Sequence, residues 1–315
     1  MGKFNNCTEI TPLCPVEATT YGYYPNYGLD MTLLVFFAVC AIAQILFGFW
    51  HRSWTFMIAI AGGAIMEAVG YVGRLMMHQN PWSDNAFRIQ ICCLILAPSF
   101  VAAGVYLSLK HIVLYVGPEA SRIKPRLYTW LFIGADVTSI FVQAAGGGIA
   151  AGASKTDFKQ FDLGNDLMIA GIAVQVVTMG ICGLMALDFF IRYKRRGVSG
   201  STSPYQTAKL NGLAPPINHT RFKVFVVVEV IAYVCVLIRC IYRLPEMAGG
   251  WGNPLMQDQA EFLVLDGLMV VSAVVLFTVF HPGWWFPPMT SRWQNARRSD
   301  SEKATGPGES DGSLH

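Results

Sequence analysis

The sequence predicts an all-α membrane protein, a bundle of seven transmembrane helices with the N-terminus outside and the C-terminus cytoplasmic. Three observations predict it. The 315 residues are 53% hydrophobic and only 14% charged, with mean hydropathy +0.42, which is the composition of a membrane-embedded chain. Seven apolar runs of about 20 residues follow one another, the length a helix rising 1.5 Å per residue needs to cross about 30 Å of hydrocarbon. None of these runs alternates with period two, and all are too long for strands, so a β-barrel is disfavoured.

The first run, Met31–Trp50, follows a polar segment with no apolar core of its own. No cleavable signal peptide is therefore expected, and the first helix directs insertion. In the preceding tail, residues 1–30, Cys7 and Cys14 can pair in an oxidising exterior, and Asn6-Cys7-Thr8 is a glycosylation sequon at Asn6.

The second run, Trp54–Met76, contains IMEAVGYVGRL, in which Glu67, Tyr71 and Arg74 stand at i, i+4 and i+7 and so share one helical face. An ionisable group at mid-bilayer costs roughly 2.5–3.5 kcal/mol on insertion scales, so such residues turn to the bundle interior, find partners and often mark a pathway. Ala59, Gly62, Gly63, Gly70 and Gly73 on the same helix read as a close-packing face.

The third run, Ile89–Leu109, carries Pro98, which should kink it and free a backbone carbonyl that needs a neighbour. Run four, Leu127–Ala150, places Asp136, Ser139 and Gln143 at i, i+3 and i+7. Its Gly146–Gly148 stretch permits close approach by a neighbouring backbone or a ligand. The fifth, Leu167–Phe190, ends in RYKRR at 192–196, the densest basic block in the chain.

Run six, Phe222–Ile241, has Glu229 in its inner half and Arg239 near its outer end, and Arg243 and Glu246 continue the charged series. Run seven, Phe262–Phe280, places Asp266 in its outer half. Glu67, Arg74, Gln143, Arg239 and Asp266 are accordingly expected to share a polar chamber there. Trp50, Trp54, Trp82, Trp284 and Trp285 read as interfacial anchors.

Orientation follows from Lys and Arg, which collect in Lys110–Arg126, Arg192–Arg221 and the tail after His281. Those segments are assigned to the cytoplasm. The Ser/Gly-rich stretch around GVSGSTSPYQ and the tail, residues 284–315, read as flexible, which leaves one domain over 31–283. The remaining cysteines sit in apolar runs as small hydrophobes. Scattered histidines, no Walker A loop and no GxGxxG give no reason to expect a metal, a cofactor or a nucleic-acid partner.

Six ordered motifs, EAVGYVGR (67–74), LAPSFVAAGVYLSLKHI (96–112), FIGADVTSIFVQAAGGGI (132–149), IAGIAVQ (169–175), IRCIYRLPEMAGG (238–250) and LDGLMVV with FHPG (265–283), carry a resemblance. In sequence and spacing they resemble the RTA-like fungal lipid-translocating exporter family. The resemblance implies seven helices in a fungal plasma membrane, export of sphingoid long-chain bases or sterol-like amphiphiles, and tolerance to toxic lipids. It implies that Glu67, Tyr71, Arg74, Asp136, Gln143, Arg239, Arg243, Glu246 and Asp266 belong to the substrate-binding pattern. One departure is that QDQAEFLVLD offers Gln259 and a displaced Glu261 where the family tends to show an acidic-aromatic stretch. On this reading Glu67 and Asp266 attract a cationic amine, and Arg74 and Arg239 keep those two carboxylates ionised.

Other classes fit less well. Helix 3 lacks the Asp-Arg-Tyr-like element of a seven-helix receptor, and helix 7 lacks a Schiff-base Lys for retinal. A membrane-embedded cyclase or isomerase using intramembrane carboxylates is the strongest alternative.

Overall fold

The computed structural model describes residues 7, 9–116, 125–152, 158–196, 219–249 and 252–290. Seven of its helices are long and apolar enough to cross a membrane: α1 (Tyr27–His51), α2 (Trp54–Gln79), α3 (Asp84–Val116), α4 (Pro125–Gly152), α5 (Phe158–Arg196), α6 (His219–Ala248) and α7 (Gln259–Val279). Every helix extends beyond its apolar run at one end or both, α5 by nine residues ahead of Leu167. An apolar run marks only the stretch matched to hydrocarbon, whereas the hydrogen-bond ladder continues into polar ends that water can solvate.

The outer surface is apolar and the interior carries the charge. Phe36, Val39, Ile42 and Leu46 of α1, Phe141 of α4 and Leu184 of α5 point outward and are exposed, as side chains facing lipid would be. Helix α3 is the hub: it packs against α2, α4, α5, α6 and α7, and most of its apolar length is buried.

Small residues let the backbones meet. A Cβ added to Gly73 of α2 would lie 2.8 Å from the backbone nitrogen of Gln90 and 2.9 Å from the carbonyl oxygen of Ala86 on α3. Between α4 and α5, a Cβ on Gly146 would lie 2.6 Å from the carbonyl oxygen of Gly164. The glycine run of α4 therefore admits a neighbouring helix.

Pro98 does not break α3, which runs through it. Helix α7 does depart from regularity: Leu263–Leu268 form a π-helical turn around Asp266 and Gly267. Such turns displace the helix's own periodicity and recur at functional sites.

Segments at both ends of the bundle pack into it, including the start of the C-terminal stretch expected to be flexible. Ahead of α1, the described residues lie over the bundle mouth, with Thr19 and Tyr21 buried. Cys7 and Cys14 form a disulfide there. After α7, His281, Phe286 and Met289 are also buried, so the segment after Gly283 starts inside the fold rather than as a free tail. Asn6 and the flexible stretches expected around 200 and after 290 lie outside the described residues.

Candidate polar site within the helix bundle

Glu67, Tyr71 and Arg74 share one face of α2 and are fully buried, as their spacing requires. Arg74 does not pair with Glu67. Its Nε donates to Asp30 Oδ1 at 2.9 Å, its Nη2 reaches Tyr23 Oη at 3.5 Å, and its guanidinium stacks 4.2 Å from the Phe262 ring centroid. The expectation that Arg74 holds Glu67 ionised is thus corrected: the seven-residue spacing carries Arg74 to the mouth, where α1 supplies a nearer carboxylate.

Asp30 was missed in the sequence because it stands in the first turn of α1, just after the capping residue Asn26, where an acid ordinarily serves the helix dipole. Tyr21 and Tyr23 carry no signal in the sequence either, since they lie in a polar segment ahead of the first apolar run. Tyr21 Oη accepts from Gln90 Nε2 at 2.8 Å, which ties the tail to α3. Burial beside these charges pushes the Tyr21 and Tyr23 phenols above their ordinary range despite the opposing effect of Arg74, so both stay neutral.

Asp266 is the second centre. Arg239 Nε approaches its Oδ1 to 2.8 Å, and Arg243 bridges both oxygens at 3.2 and 3.4 Å. Arg243 Nη1 also donates to Glu246 Oε2 at 2.7 Å. Arg239 Nη2 donates to the carbonyl oxygen of Leu94. That oxygen is free because Pro98, four residues on, has no N–H to give it. The orphan carbonyl that Pro98 creates in α3 is therefore the anchor for a charged side chain of α6.

Glu67 differs from these. It is fully buried, and neither of its carboxylate oxygens has a hydrogen-bond partner. The charges that act on it are Asp266, Arg239 and Arg243. Tyr71, one turn along, stacks against Phe37 and keeps its hydroxyl unpaired beside Gly267 of the π turn. Of the departing stretch before Asp266, Glu261 is exposed and Phe262 alone enters the site, between the guanidiniums of Arg74 and Arg243.

Helix α4 contributes elsewhere, and the expectation that Gln143 joins the charged chamber is corrected. Gln143 Nε2 donates to Ser139 Oγ at 2.8 Å and to Gln175 Oε1 at 3.3 Å, while Ser139 Oγ bonds the carbonyl oxygen of Gly171 at 2.6 Å. These bonds clamp α4 to α5, and on α5 Gln175 in turn donates to Cys240 Sγ of α6 at 3.7 Å. Asp136 is buried beside Tyr106, Cys182 and Cys240. Glu229 is buried near Ser108, and neither acid makes a hydrogen bond of normal geometry. The structure thus brings together Glu67, Tyr71, Arg74, Arg239, Arg243, Glu246 and Asp266, and keeps Asp136 and Gln143 in an adjoining polar layer.

The chain is similar to several known proteins. The chain is 30% identical over 283 residues to the sphingoid long-chain base transporter RSB1 of Saccharomyces cerevisiae, covering 84% of this chain and 74% of that one. It is 29% identical over 220 residues to protoporphyrin uptake protein 1 of the same yeast, covering 69% and 65% respectively, and 26% identical over 232 residues to protein RTM1, covering 73% and 68%. No solved structure matches it. The pattern described as RTA1 like protein matches residues 60–289, a span that holds every charged residue of the site except Asp30. This integral membrane protein therefore belongs to the RTA1-like family.

Proposed function

We propose that the protein moves amphiphilic lipids of the sphingoid long-chain base class from one leaflet of a fungal plasma membrane to the other, and so confers tolerance to them. The observation that carries this reading is Glu67, a fully buried carboxylate without a donor, set beside the Arg239–Asp266–Arg243 cluster in a bundle whose relative is a sphingoid base transporter. A headgroup seated there keeps polar company halfway through the bilayer while its tail stays in lipid. That arrangement spares most of the cost of drawing a charged group through hydrocarbon.

Each group has a part on this reading. Glu67 and Asp266 attract the amine; Tyr71 contributes its free hydroxyl to the headgroup; Arg239, Arg243 and Glu246 hold Asp266 in place. Arg74, paired with Asp30 under the tail, closes the mouth. Asp136 and Gln143 extend the polar lining toward the opposite end. The N-terminus and the disulfide face outward, and the basic RYKRR segment faces the cytoplasm.

The test is transbilayer movement and chemical conversion followed in the same proteoliposomes by mass spectrometry. Glu67→Gln and Asp266→Asn should slow the movement of cationic sphingoid bases more than that of neutral ceramide. A chemically altered lipid that appears with the wild type and vanishes with Glu67→Gln would instead establish a membrane-embedded enzyme. Movement indifferent to both substitutions would remove these residues from the site.

A further inference from the structure

The charges around the site do not balance. Four buried carboxylates, Asp30, Glu67, Glu246 and Asp266, stand against three buried guanidiniums, Arg74, Arg239 and Arg243. Arg74 is committed to Asp30, and Arg239 and Arg243 are shared by Asp266 and Glu246. Glu67 is the carboxylate left over, and both of its oxygens lack a donor. A fourth positive charge is needed for the cluster to be neutral in low dielectric, and Glu67 is the place for it.

Among the described residues, the groups that face Glu67 supply no further positive charge. They are Asp266 of α7, Arg239 and Arg243 of α6, Cys93 of α3 and Tyr71 of α2 itself. The acid of α1, Asp30, is taken by Arg74. His78 sits at the mouth, bonded through Nδ1 to the carbonyl oxygen of Pro25 at 2.7 Å, and does not act on Glu67.

We infer that Glu67 is an exchange site that holds either a proton or a cationic headgroup but never both, so that the protein is a proton-coupled antiporter of cationic amphiphiles. The inference rests on the transport reading above and adds its energy source. When the headgroup arrives, the O–H bond of the Glu67 carboxyl breaks and its proton leaves to water on that side. When the headgroup departs on the other side, the carboxylate takes a proton from the water there. One positive charge moves each way, the cluster is neutral in both states, and no net charge crosses the membrane.

Electroneutral exchange has a signature that other mechanisms lack. One pH unit across the membrane should drive about tenfold accumulation of the amphiphile, because one proton is exchanged for one cation. A potassium diffusion potential set with valinomycin should drive none. The experiment uses the full chain in liposomes with N,N,N-trimethylsphingosine, whose charge is fixed, so that passive trapping of a weak base cannot imitate coupling. Sphingosine is run beside it, and internal pH is read with a trapped dye.

Wild type should accumulate the fixed-charge probe on the acidic side by about tenfold per pH unit, with matching proton counterflow. Glu67→Asp should retain the coupling, and Glu67→Gln should lose it. Accumulation that follows the membrane potential, ignores the pH gradient or persists in Glu67→Gln overturns the exchange site while leaving the transport reading intact. Failure of wild type to move either lipid overturns both. Should Glu67→Gln not be recovered folded, the wild-type response to pH against potential decides by itself.

Discussion

At the scale of single residues, Arg74 and Glu67 lie seven residues apart on one helical face, and their environments make opposite predictions. Arg74 and Asp30 form a buried ion pair, and removing either partner leaves a charge in low dielectric with nothing to offset it. Arg74→Ala should destabilise the protein by about 3–5 kcal/mol, read as a lowered unfolding temperature in detergent, and Asp30→Ala by a similar amount. Glu67→Gln should change stability by no more than about 1 kcal/mol, because a protonated Glu and a Gln are near-isosteric and both neutral. A large loss in Glu67→Gln together with none in Arg74→Ala would show that the charge has been assigned to the wrong carboxylate.

At the scale of helices, Pro98 and Arg239 form one device. Restoring an N–H in Pro98→Ala gives Leu94 its intrahelical partner and should stabilise α3 by up to about 3 kcal/mol. The same bond competes with Arg239 for the Leu94 carbonyl, and a buried donor left unmade costs about 1–3 kcal/mol. These effects offset, so the variant should unfold within a few degrees of wild type yet move lipid more slowly, because Arg239 loses the contact that aims it at Asp266. Full transport in Pro98→Ala would show that the contact is incidental.

The opposite end of the bundle carries a pH-dependent clasp. His281 is buried against His51, Phe56 and Phe47, and its Nδ1 accepts from the Gly283 N–H, so the proton resides on Nε2. Burial and the neighbouring His51 push it down to about 3, so it folds as the neutral ring. The unfolded chain binds a proton there that the folded chain does not, and the associated stability is present above about pH 6.5 and lost as pH falls below it. Unfolding temperature should drop between pH 7 and pH 5, and His281→Asn, which keeps an acceptor for Gly283, should drop less.

At the scale of the whole molecule, the proposed orientation follows from the basic segments, with RYKRR inside. An impermeant amine reagent applied to intact cells should leave Lys194 unlabelled, and enzymatic removal of N-linked glycan should shift the protein's mobility through Asn6. Labelling of Lys194 from outside would invert the depth assigned to every charge in the site, and the direction in which a proton gradient acts would invert with it.

The seven helices were legible in the sequence, because apolar length and the need to satisfy every backbone group in hydrocarbon leave a chain few options. Which face of α2 turns inward was also legible, since Glu67, Tyr71 and Arg74 share it by periodicity alone. Pairing was not legible. Arg74 had Glu67 on its own helix and chose Asp30 on another, while Gln143 went to α5 rather than to the charges. Charge partners in a bundle are set by which helices are neighbours and by the register at which backbones meet, and those depend on contacts such as Gly73 against α3 and Gly146 against α5. That Glu67 is the acid of the charged cluster left without a donor emerges from the assembled bundle, because three arginines are distributed among four acids from four different helices, and no single segment holds that balance.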